Sequence, residues 1–414
     1  MAPKHHIYLV PGFLGFAHLG RLTYFSHVRR LLTERLAALG LEPRVHIVRT
    51  SPTASLPDRA ARVAEVIHAT ASRGGAPLHL IGHSSGGLDV RLLTAPGVGL
   101  PTAIDVERLA TRVRTVVTVS TPHHGTPIAS FFTTLQGQKL LQLLSLSTIY
   151  VLNFGHLPLA ALLWMGSFFV RFGGLVAGSE LLDELFGKLL EDFTPARRRV
   201  VRKLLRDVVR DQALMLQLTP EAMEVFNASV LQRADVRYGA VVGQAAPPSL
   251  RATLRAGIDP AAQVTHALYS GLYRLIEAAA VRVSPQLAPA QARVLRRTYG
   301  AMPSATANDG IVPTLSQVRG QVIHVAVADH LDVLGHFRDA EHDPPHVDWL
   351  VSGSDFDRRR FEALWADVAC FLVPDAARQP KRGRAAGRPQ AKKATSRKTR
   401  SIASGRLLLR AGSG

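Results

Sequence analysis

The residues whose types and spacing could do chemistry are concentrated in one stretch, Leu78 to Arg91, which reads LHLIGHSSGGLDVR. A short apolar run, Leu78 to Ile81, leads into Gly82-His83-Ser84-Ser85-Gly86-Gly87, and a helix-compatible run follows from Leu88. A serine between two glycines at the tip of a strand-to-helix turn is the nucleophile-elbow pattern. The turn holds the serine oxygen clear of the sheet at the positive end of the helix dipole. The flanking glycines allow strand and helix to approach closely. Ser84 is therefore the candidate nucleophile. The plainer alternative is a glycine-rich turn with a capping serine.

Three other loops carry groups that such a serine needs. Pro11-Gly12-Phe13-Leu14-Gly15-Phe16 follows the first apolar run, where backbone N–H groups can turn toward a nucleophile. An oxyanion hole would draw one donor from that loop and the second from the N–H of Ser85. Thr306 to Pro313 contains Asn308-Asp309-Gly310, and the last strand candidate ends in Asp329-His330-Leu331-Asp332. Serine, acid and histidine follow in that order along α/β-hydrolase chains, which selects Ser84, Asp309 and His330. His336, His342 and His346 compete as the base and Asp332 as the acid, although Asp332 is too near His330 in sequence to orient its ring well. In Ser120 to Pro127 the pair His123-His124 is expected to pack the loop rather than bind a metal, since no Cys or acid cluster accompanies it.

These loops need a scaffold. Strand candidates are His6–Val10, Val45–Thr50, Leu78–Ile81, Arg114–Ser120, Val236–Val242 and Val322–Ala328, with helical segments such as Phe25–Leu39 and Pro57–Ser72 between them. Short, β-branched, nearly continuous apolar runs fit strands covered on both faces. The fold class is α/β, an α/β-hydrolase fold with a mainly parallel central sheet and an inserted helical cap or lid. Residues 1–129 form the first part of the core, 130–234 the cap, 235–373 the second part and 374–414 a disordered basic tail. Within the cap, Leu140 to Val170 has no Asp, Glu, Lys or Arg. Asn153, Gly155, His156 and Pro158 interrupt it, so a cap over the site is expected ahead of ordinary buried helices or a membrane span. Pro195–Arg210 reads as a basic helix with a solvated face.

The net charge of +19 is concentrated in the tail. Pro374 to Gly414 holds twelve Lys/Arg and one acid, a net of +11. Without interleaved aromatics it offers no base stacking, which argues against nucleic acid as substrate; it reads as a solvated tail or as a tether to an anionic surface. The single cysteine, Cys370, allows no intrachain disulfide. The apolar run Ile7–Val10 is too short for a secretory core. The expected location is cytoplasmic, with peripheral membrane or lipid-surface contact through the cap and tail.

Six stretches together resemble the bacterial triacylglycerol lipases of the α/β-hydrolase superfamily: IYLVPGFLGF (7–16), LIGHSSGGLDVR (80–91), VSTPHHGTPIA (119–129), QLTPEAMEVFNA (217–228), ANDGIVP (307–313) and DHLD (329–332). The resemblance implies Ser84 as nucleophile, Asp309 as acid, His330 as base, oxyanion donors from the backbones of Phe13 and Ser85, and a lid within about 125–218. It implies a serine carboxylic-ester hydrolase acting on lipid esters through an acyl-enzyme. An acyltransferase using the same acyl-enzyme and a non-catalytic membrane-associated scaffold are the alternatives. No cofactor is expected. Members of the family hold a structural calcium partly through the Asp two residues after the base, here Asp332. A second Asp comes from the segment before the acid loop, and between Asp259 and Asp309 this chain has none. The chain also departs from the family in having Pro11-Gly12 where His-Gly is usual.

Overall fold

The computed structural model describes residues 4–13, 24–71, 74–154, 186–249, 252–253, 260–279, 285–348 and 350–373. Six parallel strands form one sheet: β1 (Lys4–Val10), β2 (Glu42–Ile47), β3 (Leu78–His83), β4 (Val113–Val119), β5 (Arg237–Gln244) and β6 (Gln321–Val327), in the order β2-β1-β3-β4-β5-β6. This is the expected α/β-hydrolase sheet. The chain leaves β1 to one side for β2 and returns on the other side for β3. The crevice beyond the carboxyl ends of β1 and β3 is therefore the topological switch point, where α/β sheets hold their ligands.

The sequence of β1 shows why the sheet is covered on both faces. Ile7 and Leu9 pack with Phe25, Val28 and Leu32, the last two from α1 (Ser26–Ala38). Tyr8 and Val10 point the other way, to Val63 and Ile67 of α2 (Leu56–Ala71) and Val90 and Leu93 of α3 (Gly86–Thr94). All four strand residues are fully buried. Burying each Ile, Leu or Val stabilises the fold by roughly 1.5–3 kcal/mol. α12 (Arg358–Leu372), at the end of the described chain, adds Trp365 and Leu364 to the α1 side.

The second strand begins earlier than the apolar run predicts, at Glu42 rather than Val45, and ends at Ile47. Pro43 lies inside it, opposite His5. β2 is an edge strand, so the N–H that proline lacks has no ladder partner to lose. The other strands lie within a few residues of their expected limits.

After α4 (Val106–Ala110), α5 (Pro127–Phe132), α6 (Leu135–Phe154), α7 (Pro195–Arg210), α8 (Ala213–Gln217) and α9 (Pro220–Ser229) separate β4 from β5. Residues 155–185, with much of the uncharged segment, lie outside the described residues. α7 buries Val201, Leu205 and Val208 and exposes its basic face, where Lys203 pairs with Asp207 at 2.6 Å. Among the described residues no helix is long and apolar enough to cross a membrane. α10 (Pro260–Ala278) and α11 (Pro289–Tyr299) precede β6, and α12 (Arg358–Leu372) follows it. The basic tail, Pro374–Gly414, lies outside the described residues.

Candidate active site

Ser84 stands at the carboxyl end of β3 with a φ of 55°, in the left-handed region that a side chain rarely adopts. Two backbone hydrogen bonds hold it there: its N–H donates to Val119 O at 2.9 Å, and Gly87 N–H donates to Ser84 O at 3.0 Å. The flanking glycines are dictated by close approach. A Cβ on Gly82 would lie 2.2 Å from Gly86 O, and one on Gly86 would lie 2.3 Å from Val10 O. The turn thus presses α3 onto the end of β1. Ser85 caps α3 and is buried, so its N–H belongs to the first turn, whose donors have no helical acceptor.

Asp309 is fully buried, in a turn closed by Gly310 at a φ of 92°. Its Oδ1 accepts the N–H groups of Ile311 at 3.0 Å and Val312 at 2.7 Å. Its Oδ2 accepts from His330 Nδ1 at 2.8 Å and from the Gln317 side-chain amide at 3.1 Å. His330 N–H also donates to Asp309 O at 2.9 Å, so backbone and side chain lock the two loops together. Because the carboxylate accepts at Nδ1, the proton sits on that nitrogen and the Nε2 lone pair is left for a substrate-side proton. The competing bases lie elsewhere: His336 is buried against Tyr24, and His342 and His346 stand together near α1.

His330, Ser84 and Phe13 line one cavity of about 60 Å³. Its remaining wall is almost wholly apolar, with Ile128 and Phe132 from α5, Leu141 and Leu144 from α6, Met215 and Leu218 from the α8 region and Leu272 from α10. The inserted helices therefore supply one side of the pocket and the sheet loops supply the reactive groups.

No motif in the sequence marks what holds these loops. Arg59 and Asp89 form a fully buried ion pair at 2.8 Å, and Arg59 Nη2 also donates to Pro11 O at 2.7 Å. This anchors the Pro11-Gly12 loop. Burial pushes the Asp89 carboxyl up to about 6 against the pull of Arg59, which leaves it ionised at neutral pH. Gly12 packs on Ser84 itself: a Cβ there would lie 2.5 Å from Ser84 Cβ. His83, beside Ser84, is fully buried and held neutral by desolvation. Its Nε2–H donates to His330 O at 2.9 Å, and its Nδ1 therefore accepts from Tyr24 OH at 2.6 Å. Only burial and side-chain reach connect these residues, so spacing could not reveal them.

His123 packs into the loop as expected, with Nδ1 against Arg91 Nη1 at 3.0 Å and Nε2 against Thr118 Oγ1 at 3.1 Å. Asp332 does not approach the His330 ring through a hydrogen bond; with buried Asp329 and half-buried Asp348 it forms a group of carboxyls. Desolvation and mutual repulsion raise both Asp332 and Asp348, the latter to about 8. Asp329 Oδ2 is buried with no hydrogen-bond partner. Crowded carboxylates with a spare oxygen fit a hard cation such as calcium. Here the companion acids come from beside the base and from 18 or fewer residues after it, not from before the acid loop.

No family model matches the chain, and no curated protein matches it. Among solved structures it is similar to EstA from Clostridium botulinum, at 18% identity over 90% of this chain and 87% of that one, with a TM-score of 0.46. Lipase 1 from Pelosinus fermentans matches at 17% identity over 90% and 99%, with a TM-score of 0.46. Staphylococcus hyicus lipase matches at 14% identity over 90% and 95%, with a TM-score of 0.42.

Proposed function

We propose that this chain is a serine carboxylic-ester hydrolase acting on lipid esters. The observation that carries the reading is the buried Asp309–His330 pair, 2.8 Å apart, whose base shares an apolar cavity with the strained Ser84. In this reading His330 Nε2 takes the proton of Ser84 as its oxygen attacks the ester carbonyl. Asp309 fixes the tautomer and stabilises the imidazolium. The N–H groups of Phe13 and Ser85 receive the developing oxyanion, a contribution of about 3–4 kcal/mol per donor. His330 then protonates the leaving alcohol, and water activated by the same nitrogen releases the acid from Ser84.

The apolar wall supports an acyl group rather than a polar substituent in the pocket, and the helices of the β4–β5 insertion act as its cap. Asp332, with Asp329 and Asp348, would hold a structural calcium ion, which would neutralise their crowded charge and brace the loop of the base. The basic tail would serve contact with anionic surfaces.

The test is hydrolysis of p-nitrophenyl esters of graded chain length, together with labelling by a serine-directed fluorophosphonate. Wild-type protein is expected to react in both assays and Ser84→Ala in neither. Turnover retained by a folded Ser84→Ala protein would overturn the reading.

A further inference from the structure

Beside the first turn of α1, three histidines meet that the ester chemistry does not use. His27 lies in the first turn of α1, and His342 and His346 lie in the loop between His330 and α12. Each offers one ring nitrogen to a common point, all within 4.8 Å of one another. They line a pocket with Glu34 and Glu362.

We propose that His27, His342 and His346 form a three-imidazole site for a divalent metal of the zinc class, clipping α1 to the loop that follows the base. Two features of the ring hydrogen bonds support it. His342 Nδ1 donates to Pro344 O at 2.8 Å and His346 Nδ1 donates to Gly335 O at 2.6 Å. Metal-ligating histidines are oriented in this way, with one nitrogen on a backbone carbonyl and the other turned toward the ion. His27 is 7% exposed, and its buried Nδ1 has no hydrogen-bond partner. A buried polar nitrogen left in that state calls for an electrophile or a donor.

The chemistry of the donor set selects the ion. Three imidazoles suit zinc and its neighbours, whereas calcium and magnesium take oxygen. The fourth position faces the pocket, where water completes a tetrahedron. The Arg30 guanidinium donates to His342 Nε2 and so occupies one lone pair that the ion would use. Glu34, one turn along the same helix, already lies 3.9 Å from Arg30 and can receive it when the ion enters. Zinc–nitrogen bonds of about 2.0–2.1 Å require the three nitrogens to draw closer by roughly an ångström or more, and the His27 and His346 rings to turn out of their stack.

The experiment uses the full-length protein and zinc chloride. After loading and desalting, elemental analysis is expected to give one zinc per chain for wild type and for His68→Ala, which removes an exposed histidine elsewhere. His342→Ala and the His342→Ala/His346→Ala double variant are expected to bind at least tenfold more weakly. Zinc is expected to raise the melting temperature of wild type by several degrees and to leave the double variant unchanged. Arg30→Ala is expected to bind zinc at least as tightly as wild type. Cobalt(II) gives a second readout, since its ligand-field absorption reports a four-coordinate site in wild type only. Substoichiometric zinc in wild type, or equal binding by wild type and the double variant, would overturn the proposal. So would loss of binding in Arg30→Ala or in His68→Ala.

Discussion

His83 donates from Nε2 to the backbone carbonyl of His330 at 2.9 Å, joining the residue before the proposed nucleophile to the proposed base. The bond is buried, and Tyr24 OH fixes its tautomer from the other side at 2.6 Å. Removing one hydrogen bond from such a relay costs roughly 0.5–1.5 kcal/mol. Tyr24→Phe is expected to lower kcat on a p-nitrophenyl ester up to about tenfold with little change in KM. His83→Ala should lower it further. Unchanged kcat in folded variants of both would show that the relay does not position the base.

Asp309→Asn keeps the turn but removes the charge and offers His330 the wrong tautomer. An activity loss of about 10³–10⁴-fold is expected, with the fold retained by circular dichroism. Gln317→Leu deletes only one of the donors to Asp309 Oδ2, so a smaller loss of about three- to tenfold is expected.

Arg59 and Asp89 are both fully buried, so removing one partner strands the other. Arg59→Met should destabilise the protein by about 3–5 kcal/mol in urea unfolding. It also frees Pro11 O, so residual folded protein should lose activity through the oxyanion loop. The double variant Arg59→Met/Asp89→Leu should recover much of the stability and little of the activity.

Leu144 faces the cavity from α6, and Phe132 from α5. Leu144→Trp fills the apolar wall and should shift the preferred p-nitrophenyl ester toward shorter acyl chains. Each methylene excluded changes kcat/KM by about 1–3 kcal/mol. An unaltered chain-length profile would place the acyl group elsewhere.

His79 is buried and held neutral, its pKa pushed down to about 3 by desolvation first and by His5 and two arginines second. Unfolded, it takes its proton near the ordinary 6.5, so between about 3 and 6.5 the unfolded chain binds more protons. Its contribution to stability is therefore complete above 6.5 and is lost as the pH falls. The slope is up to about 1.4 kcal/mol per pH unit for this one group. Urea unfolding at several pH values from 7 to 4.5 checks this, and His79→Gln should reduce the proton uptake on unfolding by about one.

The sequence by itself determined the elements and the order of the reactive loops. The apolar runs of β1, β3, β4 and β6 are written in residues that alternate between two helical layers, and a G-x-S-x-G between strand and helix admits few other geometries. Asp309 and His330 stand out as candidates because an Asp-Gly turn precedes the last strand and His330 follows it, and the structure brings the two side chains together. What only the tertiary structure decided is contact between residues far apart in the chain. Arg59 reaching Pro11, Tyr24 reaching His83 and Gln317 reaching Asp309 depend on side-chain direction and burial, which have no period in the sequence. The same holds for His27 meeting His342 and His346 across more than 300 positions. Strand β2 shows the reverse limit: its apolar pattern is weak because an edge strand is only partly covered, and pairing with β1, not hydrophobicity, sets where it starts.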